Sequence, residues 1–301
     1  MADPLILFVP GLRPKPEPDK HSEAMQRCLL EGLRRLNAGF AQKIQATDDW
    51  FQLVDWNYAF YNEYHDITAD LAGIEEMLQQ EEASEEDLRK ATSFSLRFSR
   101  ALYRLGDHMH FLIPRLASPK VQMHLRDLRR YVKNRDKAAT RARQALIGPL
   151  LQAAARNRPV LLIGHSMGSV IAWDALWLLS QEPERKYKLD TLMTMGSPLG
   201  QRFMQRRILG HDKQGADKYP SNILDWINVA AVGELTALDV DMQNDFSEML
   251  DLKLVNSIED HECWNYFHTN GEFNPHSEYG YLINEVTAKI VMNWWSDAAM
   301  T

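Results

Sequence analysis

Arg158-Pro-Val-Leu-Leu-Ile-Gly-His-Ser-Met-Gly168 carries an apolar run straight into a serine set between glycines. Val160 to Ile163 is unbroken apolar sequence bounded by Pro159 and Gly164, the pattern of a strand buried on both faces of a parallel sheet. Ser169-Val170-Ile171-Ala172-Trp173 follows and reads as a helix. Strand, tight turn and helix around Gly164-His165-Ser166-Met167-Gly168 give the context in which a G-x-S-x-G serine is held on a strained turn, its Oγ exposed at the carboxyl edge of a sheet. The glycines have a mechanical reason: a strand that reverses sharply into a helix leaves no room for side chains two positions either side of the serine.

Working outward, strands and helices alternate. Leu5 to Val9, ending at Pro10-Gly11, predicts a first strand, and residues 49–58, with Phe51, Leu53, Val54 and Trp56, a second. A helix between them is expected from about Ser22, with Met25, Leu29, Leu33 and Leu36 at helical spacing. Beyond the serine, Leu189 to Met195 and Ile223 to Ala231 read as strands, residues 252–258 as a weaker one. Residues 281–295 read as a closing helix with Ile283, Val286, Ile290 and Trp294 on one face. From about 62 to 135 the strand pattern disappears and charged helices take over, one with a stripe of Leu71, Ile74 and Leu78. A crossover between parallel strands needs only about a dozen residues, and residues 136–155 supply it. The expectation is an α/β fold, a mostly parallel sheet flanked by helices, with its core in 1–61 and 136–301 and a helical cap inserted at 62–135.

Composition narrows the function classes. The 301 residues are 45% hydrophobic with a formal net charge of -7, and acidic residues are spread without long runs, against a nucleic-acid footprint. Lys and Arg gather between Arg115 and Arg143 in a helical pattern, which reads as a solvated face. Two cysteines, Cys28 and Cys263, in no C-x-x-C spacing, fit a reduced compartment. With no signal h-region and no run approaching a membrane span, a cytoplasmic location without a transmembrane segment is expected. His108-Met109-His110 points its rings apart on a helix, and neither H-E-x-x-H nor a phosphate-binding glycine motif occurs, so no metal and no cofactor are expected.

A serine hydroxyl is a weak nucleophile and needs a base in hydrogen-bond reach, itself oriented by a third group. In the strand–turn–helix context these follow in the order Ser, acid, His. His276, in the turn-rich Asn274-Pro275-His276-Ser277-Glu278-Tyr279-Gly280 before the closing helix, is the candidate base, with His261 and His268 as fallbacks. No carboxylate lies between Gly196 and Leu209, which moves the acid to the loop after Ala231. Glu234 stands three residues beyond that strand and Asp239 is the alternative. Two backbone amides would receive a developing oxyanion: Met167, at the start of a helix whose dipole helps, and Leu12, after Gly11 turns the first loop inward.

Phe8-Val9-Pro10-Gly11-Leu12, the Ser166 pentapeptide, Met195-Gly196-Ser197-Pro198 and the His276 loop with Tyr279-Gly280 together resemble a lipase or esterase of the α/β-hydrolase superfamily. The branch suggested contains GPI inositol-deacylase-like enzymes. The likeness spans roughly residues 4–60 and 145–298; the superfamily's opening antiparallel hairpin is absent, and a Glu stands where an Asp is usual. The resemblance implies a serine hydrolase acting on a small-molecule or lipid-like ester through an acyl-enzyme. Phe94, Phe98, Phe111 and Leu112 of the insertion are candidates to line an acyl site. An acyltransferase or thioesterase with the same residues, or a silent scaffold used for binding, are the alternatives.

Overall fold

Six strands pair in parallel in the order β2-β1-β3-β4-β5-β6: β1 (Leu5–Val9), β2 (Phe51–Leu53), β3 (Val160–His165), β4 (Leu189–Met195), β5 (Ile223–Ala231) and β6 (Ser257–Cys263). The computed structural model describes residues 2–93, 119–182, 187–234 and 241–299. Asp239, the histidines of His108-Met109-His110, and Phe94, Phe98, Phe111 and Leu112 lie outside the described residues.

The apolar runs are buried on both faces because helices cover both. Leu5, Leu7, Val9 and Leu162 face one cluster, with Leu146 and Leu150 of α7 (Ala138–Ala155) and Val170 and Trp173 of α8 (Met167–Ser180). Ile6, Phe8, Ile163 and Met193 face the other, with Met25, Leu29 and Leu33 of α1 (Pro18–Leu36) and Val291 and Trp295 of α13 (Glu285–Ala298). At about 1.5–3 kcal/mol for each large apolar side chain withdrawn from water, these two layers dominate the drive to fold. The result is an α/β fold, a parallel sheet flanked by helices on both sides, consistent with an α/β-hydrolase.

The remaining elements are α2 (Ala38–Gln45), α3 (Asn57–Tyr61), α4 (Thr68–Gln79), α5 (Glu85–Ala91), α6 (Pro119–Val132), α9 (Arg202–Gln205), α10 (Met242–Asp245), α11 (Ser247–Asp251), the antiparallel hairpin β7 (His268–Thr269) and β8 (Glu272–Phe273), and α12 (Glu278–Leu282). Ile74 and Met77 of α4 join the cluster that contains α1, and Tyr131 of α6 joins the one that contains α7. Among the described residues no helix is long and apolar enough to cross a membrane.

Five expectations shift. The first helix begins at Pro18, four residues before Ser22, since proline at the first helical position sacrifices no hydrogen bond. β2 is three residues long, and the chain turns into α3 because Trp56 and Asn57 reach back to the first loop. The last strand is 257–263, not 252–258: Leu254 and Val255 pack on the core from the turn after α11, while the polar Ser-Ile-Glu-Asp-His-Glu-Cys sequence suits an exposed sheet edge. In α4 the buried residues are Gly73, Ile74 and Met77, and Leu71 is 39% exposed. The closing helix is divided in two by Asn284, whose side chain caps α13 through the Val286 N–H.

Strand order reverses beside β1: β2 lies on one side, and the chain returns to place β3 on the other. In open α/β sheets the crevice at such a switch point, beyond the carboxyl ends of the strands, is where ligands bind. The loop after β1 and the serine after β3 flank that crevice.

Candidate active site

Ser166 sits between β3 and α8 with φ 52° and ψ -123°, a conformation that costs a non-glycine residue about 1–3 kcal/mol. The surroundings impose it. Its N–H donates to the Met195 carbonyl at 2.8 Å, and its carbonyl accepts the Ser169 N–H at 3.0 Å and the Ser169 hydroxyl at 2.6 Å. With that proton spent, Ser169 Oγ accepts from Ser197 at 2.7 Å, so the Gly-Ser-Pro turn after β4 buttresses the serine. A Cβ at Gly168 would stand 2.0 Å from the Val9 carbonyl oxygen, so only glycine lets α8 start this close to β1.

The structure brings Ser166, His276 and Glu234 into one line. His276 Nε2 lies 2.9 Å from Ser166 Oγ, and its Nδ1 lies 2.5 Å from Glu234 Oε1. A carboxylate can only accept, so Nδ1 carries the proton, and in the neutral ring Nε2 is the acceptor for the Ser166 hydroxyl. Glu234 is 1% exposed. Burial alone would raise its pKa, but the His276 charge and the His276 and Tyr281 hydrogen bonds outweigh it and hold the carboxyl below its usual range. Its second oxygen accepts the Tyr281 hydroxyl, whose own oxygen accepts the Ala231 N–H at 2.8 Å. Burial, and then the Glu234 charge, push the Tyr281 phenol well above its ordinary value, so it remains a donor.

His276 does not follow the last sheet strand directly; the β7–β8 hairpin intervenes. The return is fixed by asparagines: Asn274 Oδ1 accepts the His276 N–H at 3.3 Å, and Asn265 Nδ2 donates to the Ser277 carbonyl at 2.8 Å. The fallback histidines engage other partners, His261 facing Glu259 at 3.4 Å and His268 facing Asp87 at 3.2 Å.

On the other side of the serine, the carbonyls of the first loop are turned away. Trp56 Nε1 donates to Pro10 at 2.9 Å, and Asn57 Nδ2 donates to Gly11 and to Arg13, each at 2.8 Å. A trans peptide sets N–H opposite C=O, so the Leu12 amide points away from Asn57. Gly11 itself comes so close to the serine that a Cβ there would lie 3.0 Å from Ser166 Cβ. Among the described residues neither the Leu12 nor the Met167 N–H has an acceptor, and Met167 opens α8, where the helix dipole favours negative charge. Chemically, the arrangement offers a hydroxyl with its acceptor, a carboxylate that orients the imidazole, and two unspent amide donors. Among the described residues no group of three or more His, Cys, Asp or Glu could hold a metal ion.

Sequence reasoning missed Tyr281 as the second partner of Glu234, Gly196 as the residue against the Glu234–His276 contact, and His165, whose ring lies 4.7 Å from that of His276. Only Gly196 left a trace, in the Gly-Ser-Pro turn. The other two depend on side-chain directions that no spacing encodes.

No protein-family model matches this chain, and no curated protein is similar to it. Among solved structures it is similar to that of a proposed thioesterase from Silicibacter sp., with 17% sequence identity and a TM-score of 0.24, over 48% of this chain and 58% of that one.

Proposed function

We propose that this protein is a serine hydrolase that cleaves a carboxylic ester through an acyl-enzyme, a lipase- or esterase-type activity. The observation that carries the reading is the hydrogen-bonded line from Ser166 Oγ through the His276 ring to Glu234, at 2.9 and 2.5 Å. In this mechanism His276 Nε2 takes the Ser166 proton as Oγ attacks the ester carbonyl. Glu234 keeps Nδ1 protonated and stabilises the imidazolium that forms. The Leu12 and Met167 amides receive the oxyanion, a role in which each lost donor costs about a hundredfold or more. His276 then protonates the leaving alkoxide, and water releases the acyl group by the same steps with the roles reversed. The likeness to GPI inositol-deacylase-like enzymes and the division into a core of 1–61 and 136–301 with a helical cap at 62–135 belong to this proposal, the cap supplying the acyl side of the site. A soluble cytoplasmic enzyme is the setting it implies.

The test is covalent. A fluorophosphonate should label wild-type protein at Ser166, and p-nitrophenyl butyrate should be turned over. Ser166→Ala should lose both with its melting temperature unchanged, and Glu234→Gln should lose most of the turnover. Retained turnover in Ser166→Ala, or no adduct on folded wild-type protein, overturns the reading in favour of a binding scaffold.

A further inference from the structure

A second buried carboxylate lies beside the site, unused by the mechanism above. Glu278, its side chain 5% exposed, receives Lys15 Nζ at 2.8 and 2.9 Å and His21 Nε2 at 2.7 Å. His165 Nδ1 stands 3.3 Å from its other oxygen, close but not aligned as a hydrogen bond. At its opposite edge His165 Nε2 lies 2.9 Å from the His276 carbonyl oxygen. A carbonyl only accepts, so Nε2 carries the proton and donates it to the His276 main chain, while the ring packs beside Glu278 without a hydrogen bond to it.

Stability does not account for this cluster. Withdrawing a carboxylate and an ammonium from water costs several kcal/mol per ion, and well-packed apolar side chains of similar volume often do as well or better. What the groups join is more telling. Lys15 lies three residues beyond Leu12, on the loop that offers one amide donor; His165 is the residue before Ser166; Glu278 is two residues after His276. His21 adds the first turns of α1. One carboxylate on the His276 loop thus meets side chains from the Leu12 loop, the strand that ends at Ser166 and α1.

We propose that Glu278 and His165 are positioning residues, a two-sided clamp on the His276 loop: Glu278 ties it to the Leu12 loop through Lys15, and the His165 Nε2–H holds the His276 carbonyl in register with Ser166. The clamp rests on the esterase reading and deepens it. Without it the His276 loop is free to move against the serine, and a displacement of about 1 Å can cost about a hundredfold in rate.

The experiment compares Glu278→Gln, His165→Gln and the double variant with wild type and Ser166→Ala. Each single variant should lower kcat for p-nitrophenyl butyrate by about tenfold to a hundredfold, with KM changed far less and the fluorophosphonate labelling rate falling in parallel. Because both residues act by positioning the one His276 loop, the double variant should be no slower than the slower single variant. The far-downfield proton resonance of the His276 Nδ1–Glu234 hydrogen bond, which needs no substrate, should shift or broaden in both single variants. Wild-type kcat and labelling in both overturn the clamp, as do losses that multiply in the double variant and track the unfolded fraction in thermal melts. If wild-type protein neither labels nor turns over, the esterase reading fails by itself. The resonance then decides, and its persistence unchanged in both variants overturns the clamp.

Discussion

A Cβ built on Gly196 would stand 2.8 and 2.9 Å from the two Glu234 carboxylate oxygens and 3.1 Å from His276 Nδ1. Its φ of 54° adds a second reason for glycine, since a side chain there is strained even where space exists. Both effects fall on the contact that sets the His276 tautomer. Gly196→Ala is therefore expected to force the carboxylate and imidazole apart. Ester turnover should drop by about a hundredfold, the scale set by a displacement of about 1 Å at a reacting group, while stability falls by more than about 1 kcal/mol because alanine meets a positive φ. Steady-state kinetics with p-nitrophenyl butyrate beside thermal melts measures both, and an alanine variant with wild-type kcat would mean that the contact has room to spare. Tyr281 belongs to the same scale: by satisfying the second oxygen of Glu234 it leaves the buried charge one free direction in which to act, toward His276.

The turn from β2 into α3 works on the site from a distance. Asn57 is 1% exposed and spends both amide hydrogens on the Gly11 and Arg13 carbonyls, orienting the peptide that ends at the Leu12 N–H. Asn57→Ala should cost roughly 1–3 kcal/mol of stability, the penalty for buried acceptors left unpaired, and should slow fluorophosphonate labelling of Ser166. A fair control is Asn284→Ala, which removes the α13 cap for about 1 kcal/mol and should leave the labelling rate alone. Equal labelling rates in the two variants would detach the α3 turn from the oxyanion loop. Elements of this kind divide what the sequence discloses from what it hides. β1, β4 and β5 were legible to the residue because they are apolar runs in a sheet covered on both faces, closed by glycine, proline or a polar loop. β6 was not, because an edge strand carries charges where a central strand carries valine, and the apolar signal of residues 252–258 came from a turn packed on the core. The candidate site divides the same way. Ser166, Glu234 and His276 each stand in a strand-end or turn signal, and they meet; Gly196, Tyr281 and the Glu278 cluster come together only through a loop that leaves the sheet, forms a hairpin and returns.

Across the whole molecule, buried ionisable groups tie stability to pH, and their signs differ. Burial raises the pKa of the Asp174 carboxyl above its ordinary 3.8, despite hydrogen bonds from Leu209, Tyr131 and Arg143, so its folded form gains a proton first and stability gains from it on acidification. His165 works oppositely: burial pulls its pKa below the ordinary 6.5, so the unfolded chain takes up a proton first, and the stability present above 6.5 declines as pH falls below it. Glu278 has the same sign as His165. Burial acts to raise it, but the charges of Lys15 and His21, with the close approach of His165 and the His21 hydrogen bond, hold it well below its usual 4.5. A depressed carboxyl contributes stability that is full above the unfolded value and is lost as pH falls toward the folded one. The stability advantage of wild type over Glu278→Gln should therefore stay level above pH 4.5 and shrink steadily below it. Urea unfolding of both proteins at a series of pH values on either side of that point measures the difference directly. A gap that holds constant or widens on acidification would show that Glu278 is not the anion around which Lys15, His21 and His165 are arranged.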